Sequence, residues 1–484
     1  MDVICQVKNL RLKFPGEESL LFKDLSSSFY KGEKVLLLGP SGCGKSTLLQ
    51  VLSGLIPKSI EVPMKAEKIV VPPSWGYVFQ DPDTQFCMPY VDEEIAFVLE
   101  NLQVKREDMP FQIRKYLKMV GLEFDDPHIR IQNLSGGMKQ RLAIASVLAL
   151  NPEVLFLDEP TAMLDPEGTK SIWETMKQVG EDKTVIIVEH KIDCVLDFVD
   201  RIILFNHHGQ IIADGPQEEI FAKYKRDIRQ DGIWYPGVWK EYLSENKGRY
   251  RKQLNKKEVV LELNQFKGYR KKEVKIEVPQ EKVFAGEWIA IIGKNGAGKS
   301  TFLQALMQLL KTTGEYTLLN QPVEKIKKLS DKLTFVFQNP EFQFVAHSVY
   351  EEIAYGLKIE RMKEEEIQTK VEEMLELFQL QKHRHQHPYQ LSMGQKRRLS
   401  VAASIVKKQP ILLLDEPTFG QDSFNTFRLL ELLEKLRNEG TTILMVTHDR
   451  QIAEHIATRI WVVEDGKLAK DVHFSQKEPV FSNN

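Results

Sequence analysis

The hydrophobic pattern of the chain occurs twice. Each copy opens on alternating apolar residues, Cys5-Gln6-Val7-Lys8-Asn9-Leu10 in the first and Val259-Val260-Leu261-Glu262-Leu263 in the second. A period of two predicts antiparallel strands with one buried face. Short, wholly apolar runs follow: Val35-Leu36-Leu37-Leu38, Leu155-Phe156-Leu157 and Val185-Ile186-Ile187-Val188, then Leu412-Leu413-Leu414 and Ile443-Leu444-Met445-Val446. Runs without a polar face predict strands covered on both sides. Tyr77-Val78-Phe79 and Thr334-Phe335-Val336-Phe337 predict two more strands, each ending at a glutamine. A helical region comes next. In the second copy Ile367, Val371, Met374, Leu375 and Phe378 share one stripe among Glu and Lys, as expected of a helix packing on its own domain. Strands alternating with helices imply a largely parallel, helix-covered sheet in each copy, an α/β fold.

The repeat sets the domain organisation. Lys45 recurs as Lys299, Gln80 as Gln338, Ser135 as Ser392, Asp158 as Asp415 and His190 as His448. The period of roughly 255 residues is too long for a solenoid and suits one ordinary domain. Domains are therefore expected at 1–221 and 258–484, joined by 222–257. The joining stretch holds eleven Lys and Arg against four Asp and Glu, with Trp234, Tyr235, Pro236 and Trp239 in its middle. It reads as a solvated linker with one small aromatic anchor.

Composition narrows the classes. With 484 residues, 42% hydrophobic and 28% charged, the chain can bury real cores. A net charge of −2 gives no reason to expect nucleic acid as a partner. Cys5, Cys43, Cys87 and Cys194 are scattered and read as reduced thiols, neither a disulfide framework nor a metal site. Met1-Asp2-Val3 begins no signal layout. Apolar runs such as 143–150 are shorter than the 18 or so residues of a membrane span, so the chain is not expected to cross a bilayer by itself.

Two loops carry the first chemistry. Gly39-Pro40-Ser41-Gly42-Cys43-Gly44-Lys45-Ser46-Thr47 and Gly293-Lys294-Asn295-Gly296-Ala297-Gly298-Lys299-Ser300-Thr301 each join an apolar strand to a helix and fit the phosphate-binding loop. Glycines let backbone N–H groups close round phosphate oxygens, and the helix start adds positive dipole. Lys45 and Lys299 would reach the β- and γ-phosphates of a nucleotide. Ser46 and Ser300 would each take a position on Mg²⁺. Cys43 is expected merely to fill an unspecific position.

Each copy then has an apolar strand ending in Asp-Glu-Pro-Thr, at Asp158-Glu159-Pro160-Thr161 and Asp415-Glu416-Pro417-Thr418. The aspartates would hold Mg²⁺ and the glutamates would orient, or take a proton from, the attacking water. Gln80 and Gln338 would reach metal or water from a mobile loop. His190 and His448 each follow a buried strand, where an imidazole can contact the γ-phosphate. Leu134-Ser135-Gly136-Gly137-Met138 precedes a helix and forms a second phosphate cradle. Two cradles serve one nucleotide only if two domains face each other.

These features resemble the ATP-binding-cassette (ABC) ATPases, and the likeness covers both repeats. It implies two cassettes, each with a nucleotide-binding core, an antiparallel β subdomain and a helical signature subdomain. They would pair head to tail within the chain around two ATPs. Each ATP would lie between the phosphate loop of one cassette and the signature loop of the other, Ser135-Gly136-Gly137-Met138 or Ser392, Gly394 and Gln395. Phe14 and Tyr269 would stack on adenine, Asp165 and Asp422 would couple the sites, Glu159 and Glu416 would be catalytic, and His190 and His448 would be the switch histidines. The segments Gln80-Asp81-Pro82-Asp83-Thr84-Gln85-Phe86 and Gln338-Asn339-Pro340-Glu341-Phe342-Gln343-Phe344 are similar to those of energy-coupling-factor (ECF) vitamin importers, where the residues after the glutamine grip helices of a transmembrane partner. A fused pair of such cassettes looks like the hydroxymethylpyrimidine/thiamine type. The resemblance implies a peripheral ATPase on the cytoplasmic face of the membrane, working with a transmembrane scaffold subunit and a substrate-binding membrane subunit. A tandem translation factor acting on ribosomes would carry a long charged helical linker, whereas Gly232, Pro236 and Gly237 break this one. The glutamine segments argue against a tandem sugar-importer ATPase.

The second copy departs from the pattern. Its signature reads Leu391-Ser392-Met393-Gly394-Gln395, and methionine resists a positive φ more than glycine does. The site built on Lys45, which would face this loop, is expected to be the slower one. His383-Arg384-His385-Gln386-His387 places alternate histidines as a metal site might, but among charges it reads as a solvated loop.

Overall fold

The computed structural model describes residues 2–16, 19–161, 164–190, 192–250 and 258–473. It divides into two compact units, Met1–Pro236 with Asp422–Phe424, and Gly237–Gln421 with Asn425–Asn484. The division at Pro236 falls inside the stretch 222–257.

In the first unit the wholly apolar runs form the centre of a six-stranded sheet. Its order is Ile211–Gly215, Arg201–Phe205, Lys34–Leu38, Thr184–Val188, Val154–Asp158, Trp75–Val78. All ladders are parallel except the outer hairpin. Val154–Asp158 and Thr184–Val188 are buried at every residue, because helices cover both faces of a parallel sheet. The alternating segment Val3–Leu12 pairs antiparallel with Phe22–Tyr30, Met64–Lys65 and Lys68–Val70 in a separate sheet. Helices Val91–Asn101, Met109–Met119 and Gly136–Ala149 pack together as a helical subdomain.

The second unit repeats this plan with one difference. Its strands form a single ten-stranded sheet. Strand Glu273–Phe284 meets the last strand, Lys467–His473, through the pair Glu277 and Lys467, which joins the antiparallel part to the parallel part. The central order is Arg459–Glu464, Trp288–Ile292, Thr442–Val446, Ile411–Asp415, Leu333–Val336, again parallel. The buried ion pair Arg437–Glu434, at 2.7 Å, sits one helical turn apart with both side chains 1% exposed. Arg437 also donates to the Gly286 carbonyl at 3.2 Å.

The joining stretch is more ordered than a solvated linker. Helices occupy Gln217–Lys223, Lys225–Gln230 and Val238–Glu245. In the second unit Tyr242 stacks on Phe427, with ring centroids 3.9 Å apart and planes at 5°. Trp239 meets the same ring edge-on at 5.0 Å. The hydroxyls of Tyr242 and Tyr250 are hydrogen-bonded, and Arg249 pairs with Glu431 at 3.2 Å. The net positive charge of the stretch masks this apolar face, because long cationic side chains can border packed aromatic bodies while their heads stay in water. The loop holding the alternate histidines is ordered locally: His387 caps the turn Pro388–Gln390, and His383 contacts Gln386 and Gln395.

Truncating Tyr242 to Ala should lower the stability of the second unit by about 3 kcal/mol, the scale of deleting a buried aromatic. Tyr242→Phe, which keeps the stack and loses only the hydroxyl contacts, should cost about 1 kcal/mol. Urea unfolding followed by circular dichroism checks both values.

Candidate functional site

The sheet order assembles the site. Reading across the first unit, the C-terminal strand ends present the phosphate loop, then His190, then Asp158 and Glu159, then the segment leading to Gln80. Ligands of open α/β sheets gather at that edge.

The phosphate loops wrap the starts of helices Lys45–Leu52 and Lys299–Leu306. Gly44 and Gly298 precede them at φ 101° and 106°, a conformation glycine takes without strain. A Cβ on Gly293 would come 2.1 Å from the Val463 carbonyl oxygen. The Lys45 ammonium donates to the carbonyls of Gly39 at 2.8 Å and Pro40 at 2.9 Å. Lys299 does the same with Gly293 at 2.7 Å and Lys294 at 2.8 Å. Each lysine is thus stretched along its own loop. Ser41 and Asn295 are exposed near the loop tips, Gly42 and Gly296 take positive φ, and Thr47 and Thr301 lie in the first helical turn. Ala297 accepts from the Gly466 amide at 3.0 Å. Cys43 is 1% exposed in the core, and burial raises its pKa, with Lys45 working the other way.

The strand-end aspartates meet the loop serines. Ser46 donates to Asp158 at 2.7 Å and Ser300 to Asp415 at 3.1 Å. Burial pushes both carboxyls up to about 6. Asp158 also accepts from the Tyr77 hydroxyl at 3.0 Å. In the second unit the corresponding residue is Phe335, which has no hydroxyl.

Glu159 and Glu416 adopt φ 49° and 52°. Non-glycine residues hold that conformation only when their surroundings enforce it, at a cost of about 1–3 kcal/mol. Here the neighbouring strand enforces it: their amides donate to Val188 at 2.9 Å and Val446 at 3.1 Å. Glu159 lies 3.0 Å from the His190 ring and accepts from Gln80 at 2.8 Å. Burial opposes its ionisation, but the His190 ring and Lys45 hold its pKa below the ordinary value. In the second unit the His448 ring nitrogen lies 3.3 Å from Glu416, and the His448 amide donates to the same carboxylate at 3.3 Å. Gln338 stands exposed, without a hydrogen bond to Glu416 among the described residues. Arg397, 4% exposed, replaces Gln140 of the first unit; burial lowers its pKa to about 10 while Glu416 and Asp415 oppose that shift.

The signature serines cap helices Gly136–Ala149 and Met393–Ile405. Ser135 accepts from the Met138 amide and Ser392 from the Gln395 amide, and the Gln395 side chain in turn accepts from the Ser392 amide. Both serines, with φ −66° and −63°, lie exposed. Neither Gly136 nor Met393 takes a positive φ, because each is the first residue of a helix. The backbone penalty anticipated for Met393 does not arise. Its side chain simply projects, 53% exposed, and Gly137 and Gly394 follow inside the helix. Phe14, 36% exposed, follows strand Val3–Leu12, while the Tyr269 hydroxyl is 3.1 Å from Thr313. Of the coupling loops, 162–163 lie outside the described residues; Asp165 caps helix Pro166–Val179.

Sequence reasoning missed how the glutamine segments are built. Asp81 and Asn339 cap short turns beginning at Pro82 and Pro340. Asp83 pairs with Lys139 at 2.7 Å and Glu341 with Lys396 at 2.5 Å. Gln85 donates to Ala143 at 2.9 Å and Gln343 to Ser400 at 2.9 Å. These polar residues of the motif thus tie its turn to itself or to the signature helix.

A family model described as ABC transporter matches residues 22–162 and 278–419. Over 97% of its length the chain is 35% identical to "Putative HMP/thiamine import ATP-binding protein YkoD" of Bacillus subtilis, covering 91% of that protein. It is 33% identical to a "Putative ABC transporter ATP-binding protein" of Methanosarcina acetivorans, over 96% of this chain and 85% of the relative. Among solved structures, cbiO1 of Clostridium perfringens, part of the cbiONQ transporter complex, is 28% identical over 45% of this chain and 89% of its own, with a TM-score of 0.40. With two phosphate loops, two strand-end Asp-Glu pairs and two signature helices matched by one family model, the chain belongs to the ABC transporter family and is an ATPase made of two cassettes.

Proposed function

We propose that the chain is the ATP-hydrolysing subunit of an ECF-type importer, peripheral on the cytoplasmic face of the membrane. A transmembrane scaffold subunit converts its cycle into movement, and a substrate-binding membrane subunit selects a vitamin or precursor, thiamine or hydroxymethylpyrimidine first among them. The observation that carries this reading is the 35% identity, across nearly the whole chain, to a relative whose name specifies HMP/thiamine import. The two glutamine segments support it. Among the described residues no helix is long and apolar enough to cross a membrane, so transport on this reading requires membrane partners.

In the proposed chemistry Lys45 and Lys299 leave their loop carbonyls for the β- and γ-phosphates. Ser46 with Asp158, and Ser300 with Asp415, offer convergent oxygen donors of the kind Mg²⁺ takes; Gln80 and Gln338 complete the set. A metal held by these residues would supply positive charge against the charge developing in transfer. Glu159 and Glu416 take the proton of the attacking water, and His190 and His448 hold those carboxylates in place. The signature residues Ser135 to Met138, and Ser392, Gly394 and Gln395, close each site from the opposite cassette.

The aspartates give a pH-dependent test. Asp158 ionises near 3.8 in an unfolded chain and near 6 when folded. The folded state binds more protons between those values, so its stability falls as pH rises through them. At neutral pH the cost is roughly 3 kcal/mol per aspartate. Asp158→Asn keeps the acceptor for Ser46 and removes that cost. It should raise the melting temperature of the nucleotide-free chain at about pH 7.5, while abolishing the further rise that MgATP produces at that site. Calorimetry with and without MgATP reads both.

Replacing Glu159 and Glu416 together by Gln should lower turnover by about 100-fold or more, the scale of losing a general base, with ATP binding retained in equilibrium dialysis. For transport, the tagged chain solubilised from membranes should carry small membrane subunits, and deleting its gene should abolish uptake of labelled thiamine or hydroxymethylpyrimidine. Co-purification with ribosomes, or unchanged uptake of both compounds, would overturn the importer reading.

A further inference from the structure

The two cassettes differ at the residue before the switch histidine. The first has Glu189, where the second has Thr447. Glu189 follows strand Thr184–Val188 and is 4% exposed. One carboxylate oxygen accepts from the Thr161 hydroxyl at 2.7 Å, and Thr161 is itself 1% exposed. The other accepts from the His190 amide at 2.9 Å. A buried carboxylate therefore ties the segment carrying Glu159 to the segment carrying His190. Burial beside Glu159 raises its pKa, while the Thr161 bond acts against the rise. Introducing a third acid next to Asp158 and Glu159 is unfavourable by itself, so its bonds have to offset that cost.

What those bonds change is visible by comparison. In the second cassette the His448 amide donates to Glu416 at 3.3 Å. Thr447 does not intercept that amide; its hydroxyl instead accepts from the Asp449 amide at 3.0 Å. In the first cassette Glu189 takes the equivalent amide. Glu159 is then held by side chains, the His190 ring at 3.0 Å and Gln80 at 2.8 Å.

We infer that Glu189 is a positioning residue for ATP hydrolysis in the first cassette alone, occupying the His190 amide and the Thr161 hydroxyl so that Glu159 stays oriented by Gln80 and the His190 ring. The second cassette carries threonine in place of this carboxylate, and its glutamate must exchange a backbone contact before it can face water. The two sites thus differ in how their catalytic carboxylates are set, independently of the signature loops.

The test uses the full chain carrying Glu416→Gln, which confines turnover to the site built on Lys45. Adding Glu189→Thr should lower kcat about tenfold, as expected for a misaligned catalytic group, with KM for ATP and the melting temperature within narrow limits of the parent. Glu189→Gln keeps one acceptor and should fall between the two. If Glu416→Gln alone stops turnover, the sites fire together, and the same tenfold loss is read in the otherwise native chain. An unchanged kcat in Glu189→Thr overturns the proposal. So does a loss of kcat that comes only with weaker ATP binding or a lower melting temperature in both variants, the signature of a structural role.

Discussion

At each site one hydrogen bond ties the serine that opens the phosphate-loop helix to the aspartate that closes a strand of the same sheet. It joins two segments more than a hundred residues apart, Ser46 to Asp158 and Ser300 to Asp415. The bond forms because the strand bearing the switch histidine lies between those two strands in the parallel order. Parallel pairing puts all three C-terminal ends on one edge. The phosphate loop, the serine and aspartate oxygens and the strand-end glutamate are thereby brought to one edge.

That arrangement is held against its own electrostatics. Asp158 and Glu159, like Asp415 and Glu416, place two carboxyls on successive residues where water is scarce. The glutamate amides bond to the neighbouring strand while both residues hold positive φ. Burial keeps the aspartates reluctant to ionise, while the histidine ring and lysine favour the ionised Glu159. The two acids of the first pair thus sit in opposite environments, one disfavouring ionisation and one favouring it. In the second cassette Arg397 adds a buried positive charge where the first has Gln140. Two copies of one fold have reached different balances of the same forces.

Much of this was legible in the sequence. The strands were, because an apolar run of that length without alternation fits little besides a strand covered on both faces. The phosphate loops, the Asp-Glu pairs and the histidines were, because their chemistry demands particular residue types at fixed distances. Sheet order was not: the strand ending at Val78 precedes that ending at Asp158 in sequence but lies at the sheet edge beyond it. Tyr77 read as an ordinary strand residue, since nothing local shows that its hydroxyl meets Asp158. Met393 misled because glycine suggests a special φ, whereas the first residue of a helix needs none. The joining stretch misled through its charge. Trp239 and Tyr242, three residues apart, were the available signal for one face of a helix.

The glutamine segments show how a polar motif can be tied at both ends. Gln80 contacts Glu159, and five residues later Gln85 contacts the signature helix at Ala143. Between them a turn is stiffened by the Asp81 cap and tied to the same helix by Asp83 and Lys139. The Gln85 side chain also accepts from the Phe79 amide, so both ends of the segment are fixed to each other. Gln80 is therefore followed by a tied turn, not a slack loop. The second cassette repeats the turn, the acid–lysine pair and the Gln343 bonds, while its Gln338 lacks the bond to Glu416 among the described residues. The tied turn is therefore common to the two cassettes, and what differs is the bond from its glutamine to the strand-end glutamate.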